Sequence, residues 1–237
     1  MSYTRSARYY DAIYSFKDYA GESARLHELI RERRDVPGMT LLDVACGTGM
    51  HLSFLREHYV VVGLDVNAAQ LEVARRRLPG ITLYQADMET FDLGQRFDVV
   101  TCLFSAVGYL CTVPRLRRAV ANMAKHVVPG GLLIVEPWLT PDVFRPGTPH
   151  ARFVDEPELK LARIVVSRLE GDAAIMDFHF LIATPDGIES FVEQHTTGLF
   201  SHDDHLTAFR LAGISVEHDP QGLIGRGLYI ATAPADA

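Results

Sequence analysis

Three acidic residues and one glycine-rich turn carry the strongest chemical signal in this sequence. Asp43-Val44-Ala45-Cys46-Gly47-Thr48-Gly49 lies between an apolar run and an amphipathic one, the pattern of a strand-to-helix turn. Glycines at 47 and 49 let the backbone pass close to a ligand there. A dinucleotide-binding turn calls for a third glycine three residues after Gly49. This chain has Leu52 at that place, so the turn suits a smaller ligand. Asp65 closes the next apolar run, where a carboxylate accepts hydrogen bonds from both hydroxyls of a ribose. Asp87 closes a third, within Gln85-Ala86-Asp87-Met88. A carboxylate there can accept from an adenine amino group while Met88 packs on the ring. Each acid taken singly also fits a helix N-cap. Together, at three successive strand ends, they describe an adenosyl pocket.

A second set of residues offers acceptor chemistry. Glu136, at the end of Leu132-Leu133-Ile134-Val135, can accept a hydrogen bond from an amine or from nearby backbone N–H groups. Tyr109 follows Gly108 and can lean over an acceptor or serve as a rim aromatic. Arg226, between Gly225 and Gly227, presents either a phosphate-binding guanidinium or a surface hairpin cation. Among the ten histidines, His179, His195, His202 and His205 are candidate bases, although most are expected on the surface or in a lid. His202-Asp203-Asp204-His205 crowds one first helical turn, where acids already have a capping role, so no metal is expected. Cys46, Cys102 and Cys111 sit in apolar contexts without a zinc or disulfide spacing.

The elements that must hold these residues alternate. The first 38 residues read as helical, with Leu26, Leu29 and Ile30 as an apolar stripe and Pro37-Gly38 as its terminator. Short apolar runs at 41–45, 60–64, 81–83, 97–103 and 132–135 are separated by amphipathic stretches, which predicts a parallel sheet covered on both faces. Asn67 caps the helix after the second strand. From Trp138 the texture changes to a proline-rich loop containing Pro141, Pro146, Pro149 and Pro157. Three strand-like runs follow, 162–168, 174–182 and 188–199, with hairpin signals between them. This predicts one domain over 1–237, with N-terminal helices over 1–38 and an antiparallel insertion over 139–200. A helix capped by Ser201 and two final strands complete the chain.

Composition narrows the partners. The chain has 237 residues, 23 Lys+Arg against 30 Asp+Glu and a net charge of −7, which disfavours nucleic-acid binding. Arginines cluster at Arg31–Arg34, Arg75–Arg77 and Arg115–Arg118, and they read as solvated helix faces. No run long enough to span a membrane and no secretory leader is expected, so the expected setting is cytoplasmic.

The Asp43–Gly49 turn, Asp65 and Gln85–Met88 resemble those of class I S-adenosylmethionine-dependent methyltransferases. That resemblance implies a Rossmann-like α/β fold, a mostly parallel seven-stranded sheet whose last strand is antiparallel. It also implies S-adenosyl-L-methionine as cofactor, with Ala45, Gly47, Gly49 and Leu103 beside its methionyl part, and no metal. Finer segments are similar to the TDP-aminosugar N,N-dimethyltransferases of macrolide antibiotic pathways. They are Phe104-Ser105-Ala106-Val107-Gly108-Tyr109-Leu110, Glu136-Pro137-Trp138, Gly225-Arg226-Gly227-Leu228 and Lys17-Asp18-Tyr19. By that resemblance the insertion covers a sugar pocket, Arg226 meets the nucleotide pyrophosphate and Trp138 forms part of the acceptor wall. Tyr10 and Tyr19 border the cofactor, and Tyr3 is the nearest match to a tyrosine that reaches the acceptor. Related enzymes are often homodimers.

The chain departs from that pattern at Leu139, at Ile164-Val165-Val166 (where only Ser167 of a polar run is kept) and at Gln221-Gly222-Leu223-Ile224. The expected function is N-methylation of a nucleotide-linked aminosugar in natural-product biosynthesis. The alternatives are O- or N-methylation of another secondary metabolite, a nicotinamide-dependent oxidoreductase, and a non-catalytic cofactor-binding domain.

Overall fold

In the computed structural model, residue 3 and residues 5–34 and 39–235 are described. A 3₁₀ turn (Ser6–Tyr9), α1 (Tyr10–Ile13) and α2 (Tyr19–Arg33) precede the sheet. Pro37 and Gly38, the expected terminator, lie outside the described residues. The strands of the main sheet are β1 (Thr40–Val44), β2 (Val60–Asp65), β3 (Thr82–Gln85), β4 (Phe97–Cys102), β5 (Val127–Val135), β10 (Ser215–Asp219) and β11 (Leu228–Thr232). Their order is β10-β11-β5-β4-β1-β2-β3. Among the described residues, β11 runs antiparallel to both β10 and β5, and the other pairs of this sheet are parallel. Helices α3 (Met50–Leu55), α4 (Ala68–Arg77), α5 (Val113–Lys125) and α6 (His202–Leu211) cover it.

The burial pattern follows from strand geometry. Leu42, Val44, Val100, Cys102, Leu133 and Val135 enter one core cluster, while Leu41, Val99, Leu132 and Ile134 enter the other. Alternation with period two therefore sends neighbouring apolar residues to opposite faces, each sealed by helices. Chain order reverses between β1 and β4, so the crevice for a ligand opens at the carboxyl ends of those strands. One tight contact fixes the second strand. A Cβ on Gly63 would meet Leu83 at 2.7 Å and Cys46 and Leu52 at 2.8 Å. Gly63→Ala is expected to cost ~1–3 kcal/mol in chemical denaturation through overpacking, with unchanged secondary structure by circular dichroism. The leucine standing where a dinucleotide turn has glycine is thus a core residue, fully buried against β2.

The insertion forms a second, antiparallel sheet of β6 (Pro149–Glu156), β7 (Leu159–Glu170), β8 (Ala173–Thr184) and β9 (Gly187–Gly198). It has four strands where three were expected. The proline-rich stretch conceals β6, because Pro149 takes the first position of an edge strand, where its missing N–H costs no ladder bond. Tyr9 and Ile13 pack against Val154, Leu161, Phe180, Ile182 and Phe191, so the N-terminal helices join this sheet to the main domain.

All three arginine clusters are fastenings as well as solvated faces. Arg34 pairs with Asp98 at 2.7 Å, and Arg77 binds both Asp11 and the Thr48 carbonyl. In the third, Arg115 and Arg118 hold Glu89. Among the described residues, no helix is long and apolar enough to cross a membrane.

Candidate active site

A single cavity of about 1460 Å³ runs from the carboxyl ends of β1 and β2 to the inner face of the second sheet. It is larger than the ~300–1,000 Å³ of a typical one-ligand pocket and has room for two ligands side by side.

Its first end is built on the turn after β1. Ala45 and Gly47 adopt left-handed backbone angles, φ 59° and 58°, and the Cys46 N–H bonds to the Leu64 carbonyl at 2.9 Å. Asp65 clamps the turn from β2: one carboxylate oxygen accepts the Gly47 N–H at 2.8 Å, the other the Asn67 N–H at 2.7 Å. Asn67 caps α4, as expected. Gly49 does not face the cavity. It precedes α3 at φ 76°, and a Cβ there would meet Leu78 at 2.7 Å, so the glycine lets α4 and its C-terminal end pack close to this turn.

Asp43 lines this end while accepting a hydrogen bond from the Thr101 hydroxyl at 2.8 Å. Burial, with Asp65 nearby, pushes its carboxyl up to about 7 against the opposing Thr101 bond. A raised carboxyl stabilises the fold only while protonated. That contribution is complete below about pH 4 and lost as pH rises through about 7. Asp43→Asn is therefore expected to lose less stability than wild type between pH 4 and 7, measured by urea denaturation of the cofactor-free protein across that range.

Asp87 and Met88 also line the cavity. Asp87 accepts the Glu89 N–H at 2.8 Å in a turn, so it does not cap a helix, and Met88 packs on the main core. Leu103 is buried at the cavity wall. Tyr10 and Tyr19, both buried, close the same end from the N-terminal helices.

The other end centres on the loop after β4. Phe104 and Ser105 are consecutive non-glycine residues at φ 50° and 63°, a conformation that needs support. Glu136 supplies it: fully buried, it accepts the Phe104 N–H at 2.6 Å through one oxygen. It is not among the cavity-lining residues, so the expected contact with an acceptor amine is replaced by a backbone one. Burial raises its carboxyl, and the Phe104 N–H opposes that shift. Ser105 donates to the Pro137 carbonyl at 2.7 Å and accepts from Arg226 at 3.0 Å. The Arg226 guanidinium lies over Trp138, 5.0 Å from the ring centroid. Gly108 permits this wall, since a Cβ there would approach Trp138 at 3.1 Å. Ser167 and Val165 face inward from β7, whereas Ile164 and Val166 point to solvent. Leu139, Leu223 and Ile224, three of the departures noted above, line the cavity as well.

Tyr3 and Tyr109 meet at this end, with 3.1 Å between their hydroxyl oxygens. Of the four candidate histidines only His195 joins them, 2.9 Å from the Tyr109 hydroxyl. His179 is exposed on the second sheet; His202 and His205 pack around Tyr229, outside the cavity lining. Among the described residues, no group of three or more His, Cys, Asp or Glu is placed to hold a metal.

Sequence reasoning missed a buried polar cluster at the junction of the two ends. Lys17 and His51 share one oxygen of Glu22, His51 at 3.0 Å. Burial opposes ionisation of Glu22, yet the bonds from His51 and Lys17 hold its carboxyl below the usual value. The Lys17 ammonium also lies 4.3 Å from the Phe104 ring centroid. The Lys17-Asp18-Tyr19 segment marks the place, but nothing in the sequence says that its lysine is buried.

Comparison with known proteins agrees with this geometry. A methyltransferase domain family matches residues 41–131. The dTDP-3-amino-3,6-dideoxy-alpha-D-glucopyranose N,N-dimethyltransferase of Streptomyces fradiae is 42% identical over 94% of this chain and 89% of its own length. An amino pentose methyltransferase of calicheamicin biosynthesis from Micromonospora echinaspora, solved with S-adenosylmethionine bound, is 40% identical over 91% of this chain and 92% of that one, with a TM-score of 0.82. A sugar N-methyltransferase from Streptoalloteichus is 34% identical over 99% of this chain and 94% of that one, with a TM-score of 0.90.

Proposed function

This chain belongs to the S-adenosylmethionine-dependent methyltransferases, in the group of TDP-aminosugar N,N-dimethyltransferases, and from that premise we propose that it methylates the amino group of a TDP-linked deoxyaminosugar in a natural-product pathway. The observation that carries the reading is the continuous cavity, with Asp65 and the Gly47 turn at one end and the Arg226 guanidinium at the other.

At the first end Asp65 receives the ribose hydroxyls, Asp87 the adenine amino group, and Met88 the face of the ring. Ala45, Gly47 and Leu103 border the methionyl part, with Tyr10 and Tyr19 closing over it. The cradle fits the group: a Cβ on Gly47 would crowd the Gln70 carboxamide at 3.0 Å, and a carboxylate faces the space above it. S-adenosylmethionine supplies an electrophilic methyl on a sulfonium, which a neutral amine displaces in line. The chain's own contribution is then to hold nitrogen and methyl in register and to exclude water. Tyr3 and Tyr109 stand at the acceptor nitrogen, and Glu136 stabilises the Phe104–Ser105 loop from behind.

At the second end Arg226 meets the pyrophosphate, Trp138 and Ser167 wall the acceptor, and residues 139–200 cover it. Leu139, Val165, Leu223 and Ile224 make that wall apolar, which favours a deoxygenated sugar ring over a fully hydroxylated one. The test is a comparison of kcat/KM for a TDP-linked aminosugar, the same aminosugar without nucleotide, and a simple phenol. The linked sugar is expected to lead the free one by ~100-fold, the worth of charge-assisted phosphate contacts. Equal rates for the free sugar, or preference for the phenol, would assign the enzyme to another acceptor.

A further inference from the structure

A line of polar groups runs from the second sheet to the acceptor end of the cavity, and the reading above leaves most of it unused. His195 on β9 is 1% exposed. Its Nδ1 lies 2.9 Å from the Tyr109 hydroxyl oxygen. Among the described residues, its buried Nε2 has no hydrogen-bond partner, and a Glu193 carboxylate oxygen stands 4.0 Å away. Glu193 accepts the Ser6 hydroxyl and the backbone N–H groups of Arg5 at 2.6 Å and Ser6 at 3.2 Å. The imidazole is gripped edge-on by Tyr3, at 4.4 Å between centroids, and by Phe178, at 4.8 Å. Three separate parts of the chain thus fix one buried ring: the N-terminal segment, the loop after β4 and the second sheet.

An aminosugar arrives largely as an ammonium at neutral pH, and its nitrogen cannot attack until a proton leaves. Tyr109 lines the cavity, but burial pushes its phenol up, so it cannot keep the charge of a phenolate. It can accept a proton only by passing its own one on. We infer that Tyr109 and His195 form a proton relay that frees the acceptor amine, with Glu193 as its anchoring carboxylate. The Tyr109 O–H, which donates to the Tyr3 hydroxyl at 3.1 Å, turns to His195 Nδ1 2.9 Å away and passes its proton there as the ammonium N–H proton moves to the Tyr109 oxygen. The N–H electron pair stays on nitrogen as the attacking lone pair. Tyr109 ends as it began, and His195 becomes an imidazolium with its Nε2–H directed at the Glu193 carboxylate. Burial works against an ionised Glu193, yet the His195 ring and the Ser6 bonds hold its carboxyl down at about 2, so the anion is present throughout. A second methylation needs the same step again, because the monomethylated product is also an ammonium.

The charged and titratable groups facing the pair are Tyr3, Tyr10 and Tyr14 from the N-terminal segment, Arg163 from β7, Asp65 from β2, and Glu193 itself. Burial also raises Tyr3 and Tyr10. In this account Tyr109 is catalytic, while His195 and Glu193 act through it.

The relay rests on the amine-acceptor reading, and one experiment separates the two. Rates of methylation of dTDP-3-amino-3,6-dideoxy-alpha-D-glucopyranose are measured from pH 6 to 9 for wild type, His195→Gln, Glu193→Gln and Tyr109→Phe. S-adenosylmethionine affinity and melting temperature are recorded for each. His195→Gln is expected to lose ~100-fold in kcat near pH 7 and to recover most of it by pH 9, where the free amine needs no relay. Glu193→Gln should show a smaller loss with the same pH trend. A loss of equal size at every pH, or a change in KM alone, would overturn the relay and leave His195 a packing residue. If His195→Gln does not fold, Tyr109→Phe decides, because it keeps the ring and removes only the hydroxyl; a flat loss there overturns the relay equally. If wild type binds cofactor but never methylates this sugar, the acceptor reading falls and the relay with it.

Discussion

Replacing Asp65 by alanine is expected to weaken S-adenosylmethionine binding by at least ~100-fold in titration calorimetry, the loss of about two hydrogen bonds to a charged group. The size follows from the double duty of this side chain. Its oxygens hold the Gly47 and Asn67 N–H groups at 2.8 and 2.7 Å, and the same carboxylate faces the cavity. On the proposed reading, removing it would deprive the ribose of its acceptor and release the turn proposed to lie against the cofactor. Asp65→Asn separates the two contributions, since one oxygen remains to take a backbone N–H; it should bind more tightly than the alanine variant and less tightly than wild type. Burial raises the Asp65 carboxyl, with the Asn67 and Gly47 N–H groups opposing. Wild-type affinity should therefore start to fall at a higher pH on acidification than an ordinary carboxylate would allow, and the asparagine variant should lack that dependence.

Arg226→Ala is expected to raise KM for a TDP-linked acceptor by ~10–100-fold while leaving cofactor affinity unchanged, as loss of one charge-assisted phosphate contact predicts. Among the described residues, the guanidinium has no carboxylate within ion-pair distance. It donates to Ser105 and lies over Trp138 and Phe104, which leaves its charge available to a ligand phosphate. Arg226→Lys should recover only part of the loss, because an ammonium cannot make the planar bidentate contact. Steady-state kinetics with the nucleotide-linked sugar and its nucleotide-free counterpart distinguish the roles. If Arg226 acts only on the Ser105 loop, both acceptors will suffer alike.

The turn after β1 and the acids at the strand ends were legible because their signals are local. A strand-to-helix turn with positive φ at Gly47 and acids at consecutive strand ends declare themselves within a few residues. Gly49 shares that motif yet packs on Leu78, because identical conformational freedom serves a ligand or a neighbouring helix equally well. The acceptor end depends on contacts between residues far apart in the chain. Glu136 is spoken for by Phe104, 32 residues away, and His195 meets Tyr109 across 86 residues. Spacing within a sequence carries no trace of either. Strand β6 escaped for a different reason: prolines that mark a loop in most contexts are tolerated on a sheet edge. The buried Lys17–Glu22–His51 cluster looks, in sequence, like any three polar residues on helices.

One measurement bears most directly on the account. The purified protein is incubated with S-adenosylmethionine carrying an isotope-labelled methyl and with dTDP-3-amino-3,6-dideoxy-alpha-D-glucopyranose, and the product is read by mass and by NMR. The account predicts a sugar heavier by one and then two labelled methyl groups, both correlated to carbon 3 through its nitrogen. Label on an oxygen, or an unlabelled sugar in the presence of bound cofactor, would contradict it.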